Sequence, residues 1–355
     1  MTSALSVIVG LPLFLLWLAS VFSVLCAAFS REPWRPATID ELVARCRAVG
    51  GWELVLLAQR EVHAAMPDDG YCNGFDTPPM ALARGRGACW QRALVLRAVL
   101  RACGIETRVV HAFLTRFESG LVLGHAWLEV EYQGSVKRVC PGRSANTPGV
   151  VDFEPLTRVR TFGVAALVLS WLGSPIASMF AALTVRLRGG RVRPRAGVAV
   201  GTRTRLTHSG VWLLLPILGW NVALAPRLPG FFSDDRGVPG ALLIAEALGR
   251  VFVFAMPIVL TVGFRHRWQR RGLALFSVGT FGYLLSWLPI LLGWPPSWLW
   301  VLPYVLPIGW LLGLGLMARS GGYLVGSTLF ALAHAAHGVI VVAAQVVVLS
   351  PWWRW

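Results

Sequence analysis

Lysine is almost missing from this chain, which holds one of them beside 32 arginines. That imbalance reads as genome composition rather than as binding chemistry. Charge of any kind is scarce: 14% of the 355 residues are charged, 55% are hydrophobic and the mean hydropathy is +0.61, which excludes a soluble globular protein of this size. Cysteine is sparse as well. Cys26, Cys46, Cys72, Cys89, Cys103 and Cys140 form no CxxC pair, so neither a zinc site nor a dense disulfide framework is expected. Acidic loops of the kind that bind calcium are lacking, no cofactor or metal is implied, and no internal repeat stands out. The N-terminus lacks the basic residues of a signal peptide and Ser23-Val24-Leu25-Cys26 makes no lipoprotein cleavage site, so the first apolar stretch is expected to be retained as an anchor.

What is abundant is apolar run length. Stretches 5–29, 162–185, 209–226, 240–263, 272–293, 297–318 and 321–349 are each long enough to cross a hydrocarbon core of about 30 Å as a helix. The expectation is an α-helical polytopic membrane protein of about seven spans, in the cell membrane. The second stretch has Gly173-Ser174-Pro175 at its centre and reads either as one crossing or as a hairpin that dips in and returns.

The net charge of +16 does not point to nucleic acid, because its distribution follows the apolar runs. Residues 31–160 carry a net of only +3, whereas Arg186, Arg188, Arg191, Arg193, Arg195, Arg203 and Arg205 crowd one linker. The positive-inside rule makes that linker cytoplasmic, and with it Arg265, Arg267, Arg270 and Arg271. The Trp352–Trp355 tail suits an outer interface. A single second crossing places 31–160 outside the cytoplasm, and a hairpin places it inside, as Arg31 and Arg35 mildly favour. The domain reading is 1–30 as anchor, 31–160 as a folded domain, 161–185 as the second transmembrane segment, 186–207 as the basic linker and 208–355 as a bundle of about five spans.

Within 31–160, Pro36 to Glu61 reads as helical, opened by a Thr38–Glu41 cap. After a turn-rich stretch, Cys89 to Cys103 reads as a helix closed by Gly104, with Cys89, Ala93, Leu96, Leu100 and Cys103 facing inward and Arg92, Arg97 and Arg101 elsewhere on the wheel. Three strand-like runs follow: Thr107–Phe113, Val122–Tyr132 and Val136–Val139. In the second, Ala126, Leu128 and Val130 point one way and His125, Trp127 and Glu129 the other, so His125 need not be buried in the sheet core and can face a helix start at the sheet edge. Cys89 in a first helical turn meets open backbone N–H groups that favour a thiolate. A helix-borne thiolate and a strand-borne imidazole form an ion pair suited to nucleophilic catalysis. The bland alternative is a small apolar residue in a core.

Gly87-Ala88-Cys89, the run Leu100-Arg101-Ala102-Cys103-Gly104-Ile105-Glu106-Thr107-Arg108-Val109-Val110, and Gly124-His125-Ala126-Trp127-Leu128-Glu129-Val130 resemble the core of the transglutaminase-like superfamily over roughly residues 80–155. The resemblance implies an α+β papain-like domain lying between the first two spans. It also implies a Cys–His–Asp triad that forms a thioester on a peptide or amide carbonyl, in a family that holds peptidases, acyltransferases and inactive members. The chain departs from the family at the third member: Cys140, before Pro141-Gly142, stands where the aspartate of an Asp-Pro is expected, and Asp152 is the nearest acid downstream. The candidate catalytic residues are therefore Cys89, His125 and Asp152, with Cys140 as the rival for orienting His125, and the partners are a peptide or protein substrate and the lipid bilayer. His111 reads as structural or substrate-facing, His63 and Cys72 have no motif around them, and Trp90, Trp127 and the Tyr71–Met80 loop would frame the pocket.

In the bundle, Glu246 and Arg250 lie one helical turn apart, His334 and His337 share a face of the last span, and Asn221 sits in the third. Phe330-Ala331-Leu332-Ala333-His334 resembles one motif of intramembrane CAAX-type proteases, whose paired glutamates are absent because Ala245 precedes Glu246. These groups are expected to pack the bundle or to reach the interface. Three functions follow: a membrane-anchored cysteine peptidase or acyltransferase, an inert binding module on a membrane protein, or a transporter or sensor bundle that the domain regulates.

Overall fold

A computed structural model of the chain describes residues 2–29, 37–69, 74–118, 120, 122–143, 146–187, 206–228, 237–264, 266–294 and 298–349. Arg31, Arg35, the linker from Arg188 to Arg205, Arg265, the loop residues 71–73 and the tryptophan tail lie outside them. The chain divides into two compact units, residues 29–200 and residues 1–28 with 201–355.

The first helix, α1 (Thr2–Phe29), belongs almost wholly to the second of these units and is apolar along its length. The 29–200 unit begins with α2 (Ile39–Cys46), where Glu41 N–H donates to Thr38 Oγ1 and Thr38 N–H donates to the Glu41 carboxylate, the reciprocal cap that the sequence encodes. The single helix expected from 36 to 61 is instead two, because Gly50-Gly51 interrupts it, Gly51 at φ +58°, before α3 (Gly51–Ala65). A short parallel pair, β1 (Asp68–Asp69) and β2 (Arg86–Gly87), flanks α4 (Pro78–Arg84) and leads into α5 (Cys89–Ala102).

The main sheet comprises β3 (Thr107–Phe117), β4 (Val122–Tyr132), β5 (Ser135–Val139), β6 (Phe153–Pro155) and β7 (Arg160–Thr161). Its order is β5-β4-β3-β6, with β7 also on β3. β4 is covered on both faces. Ala126, Leu128 and Val130 pack with Ala93, Leu96 and Leu100 of α5, while Trp127 packs on the other side with Val110, Cys140 and Phe153. Apolar helix α6 (Val164–Leu187) then lies in the same unit, contributing Ala166 and Trp171 to the core around α5.

The other unit continues through α7 (Val211–Leu224), α8 (Gly240–Val259), α9 (Arg267–Ser286), α10 (Leu288–Leu291), α11 (Leu302–Val305), α12 (Pro307–Met317) and α13 (Gly321–Leu349). Among the described residues five segments are long and apolar enough to cross a membrane: 10–29, 240–259, 267–291, 298–317 and 321–345. Seven were expected. Among the described residues the stretches around α6 and α7 give shorter apolar segments, Val164–Phe180 and Val211–Arg227, although α6 as a whole runs 24 residues, so the remaining two crossings stay expectations. α7 has 14 residues, about 21 Å of helix, before a 3₁₀ turn containing Pro226 tightens the chain. Helices α9 and α12 meet through glycines. A Cβ on Gly279 would stand 2.5 Å from the Trp310 nitrogen and one on Gly313 2.4 Å from the Phe276 nitrogen, the backbone-on-backbone approach that small residues allow in apolar bundles.

Candidate active site

Ala88 is extended at φ −62°, ψ 162° and has no side-chain acceptor to cap the first turn of α5. Gln91 fixes the turn from within: its Oε1 accepts from Ala88 N–H at 2.7 Å and its Nε2 donates to the Asp76 carbonyl at 2.6 Å. Cys89 is thereby presented, half-buried, as the first helical residue. Burial pushes its thiol above the ordinary value. The main-chain N–H groups of Ala126 and Trp90, the Arg92 guanidinium and the Cys89 N–H itself pull the other way without prevailing.

Cys89 thus meets the strand that carries His125. β5 ends at Val139, paired with Leu128, which leaves the β4 edge uncovered around Ala126, and Cys89 takes that place. His125 is buried, 8% exposed, which corrects the expectation of a less enclosed imidazole. The face of β4 away from α5 is itself a small core: Phe117 and Phe153 stand edge-on to the His125 ring at 5.1 and 4.6 Å, and Trp127 stacks at 6.0 Å. Burial lowers the imidazole to about 4, Asp152 opposing and Arg92 and Arg143 reinforcing the fall. Both shifts run against the expected thiolate–imidazolium pair, and among the described residues no hydrogen bond joins Cys89 to His125.

The third position belongs to sulfur. Nε2 of His125 and Sγ of Cys140 are 3.4 Å apart and hydrogen-bonded. Cys140 is 2% exposed, and burial pushes its thiol up to about 12, with Cys89 and Asp152 adding to the rise and the Gly142 N–H and Arg92 opposing it. Asp152, the expected acid, makes no hydrogen bond to His125 among the described residues. Its carboxylate pairs with Arg143 at 2.9 Å and its N–H donates to Asn146 Oδ1 at 3.1 Å. It reaches the imidazole only as a nearby charge.

Three residues with no role assigned from the sequence hold this geometry. Arg92, expected on an outward face, is 3% exposed because α5 is enclosed nearly all round, and its Nη1 donates to the Gly142 carbonyl at 2.9 Å. His63 Nδ1 hydrogen-bonds the Pro141 carbonyl at 3.0 Å, and Gln59 Nε2 donates to the Asn146 carbonyl at 2.5 Å. Together they clamp the turn just after Cys140. The legible signal for Arg92 was its position one turn after Cys89, beside the inward stripe.

Trp90 and Trp127 are 2% and 0% exposed, so they support the site from behind rather than line an open pocket. The Trp90 indole N–H donates to Ser174 Oγ at 3.1 Å and the Trp171 indole to the Phe75 carbonyl at 2.9 Å, placing α6 against the residue next to Cys89. His111 stands apart from this cluster, edge-on to Phe113 and Phe162. No group of His, Cys, Asp and Glu among the described residues has the arrangement of a metal site.

Neither a curated protein nor a solved structure matches the chain. A family model does: residues 59–136 match that of the transglutaminase-like superfamily. The match runs from the second half of α3 through the whole of β4 to the start of β5, takes in Cys89 and His125, and stops short of Cys140 and Asp152. The chain carries a transglutaminase-like domain at residues 59–136, together with helices able to cross a membrane.

Proposed function

We propose that the protein is a membrane-anchored, multi-pass cysteine enzyme of transglutaminase-like type acting on a peptide or amide carbonyl. Cys89 Sγ attacks the carbonyl carbon as His125 accepts the thiol proton, and the same proton passes to the departing amine. The thioester then goes to water, a peptidase outcome, or to a second amine, an acyltransferase outcome. The reading rests on one arrangement: Cys89 opening α5 beside the β4 segment that bears His125, whose Nε2 is held by Cys140. Because burial raises the thiol and lowers the imidazole, this reading has proton transfer accompany attack, in the manner of a general base.

A second reading has a specific observation behind it. A thiol stabilises an imidazolium far less than a carboxylate does, so a domain with Cys140 in the third place also suits an inert module that binds peptides without cleaving them. Labelling of the full chain in detergent by a cysteine-directed electrophile at pH 7 separates the two. The enzyme reading expects Cys89 to lose at least about tenfold in rate in His125→Ala, about 1.4 kcal/mol of barrier. Equal rates in wild type and His125→Ala favour the binding module.

A further inference from the structure

Half-way along α8, a carboxylate and a guanidinium sit inside the span. Glu246 is 3% exposed and accepts from three donors: Arg250 at 2.5 Å and His334 Nδ1 at 2.8 Å on one oxygen, and His337 Nδ1 on the other. The histidines come from α13. That helix approaches closely because Gly249 lacks a side chain: a Cβ there would stand 2.8 Å from Phe330 Cβ. The carboxylate is thus saturated. The guanidinium is not, since it carries five N–H donors, is 57% exposed in its side chain and has no second acceptor among the described residues.

Arg250 and His334 line a cavity of about 310 Å³ together with the hydrogen-bonded pair Tyr283–Asn221 and an apolar remainder that includes Leu228, Phe254 and Trp310. The volume is at the lower end of small-molecule sites, which are mostly apolar with a few fixed polar groups. A guanidinium at the middle of a span is costly unless an anion answers it, and Glu246 is already shared.

We propose that this cavity binds an amphiphile with an anionic oxygen head and an apolar tail, the head taken by the free N–H groups of Arg250 and the tail by the Phe254 and Trp310 walls. The site lies in the 201–355 unit and does not depend on Cys89. Carboxylate and phosphate heads share the required chemistry, and the tail fits the bilayer as its source.

The test is equilibrium binding of radiolabelled oleate, oleoyl phosphate and oleyl alcohol to the full chain in a neutral detergent, with thermal unfolding as a check on folding. Saturable binding of one or both anions is expected, at least tenfold tighter than the alcohol. It should fall at least tenfold in Arg250→Gln and stay within about threefold in Arg250→Lys. The tighter of the two anions identifies the head as carboxylate or phosphate. Should Arg250→Gln fail to fold, Leu228→Trp, which fills the cavity without touching the charged groups, must lose the same binding. Oleyl alcohol binding as tightly as the anions overturns the proposal, as does anion binding that survives in folded Arg250→Gln or in Leu228→Trp.

Discussion

The sulfur of Cys140 lies 3.4 Å from Nε2 of His125, in the position from which a carboxylate would orient the imidazole and stabilise its charged form. The thiol there is neutral, pushed up to about 12 by burial. It holds the ring and contributes little charge.

Cys140→Asp should supply that charge. An anion so close raises a partner's pKa by about 1–3 units, lifting His125 from about 4 and favouring the thiolate–imidazolium pair. The pH at which Cys89 labels half-maximally should drop by a similar amount, whereas Cys140→Ser should shift it little. A Cys140→Asp profile that overlays the wild type would remove Cys140 from the orienting role.

Asp152→Asn tests the rival. Its carboxylate is buried, but its partner Arg143 is 52% exposed in its side chain, so solvent screens the pair and asparagine can keep the same place. Cys89 labelling should change less than about threefold, with unfolding temperature nearly unchanged. A loss comparable to that of His125→Ala would make Asp152 the orienting group.

The depressed imidazole also makes folding sensitive to acid. The unfolded chain takes up this proton below its ordinary value of 6.5, but the folded one resists until about 4. Stability is therefore full above about pH 6.5 and falls by about 1.4 kcal/mol per unit between there and pH 4. Thermal unfolding of wild type and His125→Gln at pH 7, 5.5 and 4.5 should show the wild type's advantage shrinking as the pH drops. A constant difference contradicts the assignment.

In the bundle, Gly313→Ala places a Cβ 2.4 Å from the Phe276 nitrogen and 2.7 Å from the Gly272 oxygen. Backbone atoms do not yield, so a loss of about 1–3 kcal/mol is expected, measured as a fall in unfolding temperature in detergent. Gly219→Ala, with nothing within 4 Å, is the control and should be neutral or slightly stabilising.

Much of this was legible because local rules suffice for it. The Thr38–Glu41 cap, the helix from Cys89 to Gly104 and the alternation in β4 follow from spacing alone. The sulfur in place of the acid was visible as an alternative, but that Cys140 and not Asp152 hydrogen-bonds His125 depends on where the chain runs after Cys140. That path is set by carbonyl contacts from Gln59, His63 and Arg92, and carbonyls leave no mark on a sequence. Arg92 was misplaced because a helical wheel assumes one buried stripe, whereas α5 is enclosed nearly all round. Hydropathy marks α6 and α7 as apolar stretches but does not register the side chains that tie α6 to its own domain.

Those ties bear on how the domain can be studied. Trp90 borrows its hydrogen-bond acceptor from Ser174, Trp171 covers Phe75, and a Cβ on Gly74 would meet Pro175 at 2.9 Å. A fragment cut at residue 160 would strip away this wall and leave an indole N–H unanswered beside the nucleophile. A fragment carried on to residue 187 would keep the wall but bring Val168, Leu169, Phe180 and Leu183, all exposed, into water. Handling this domain apart from the rest of the chain will therefore require detergent.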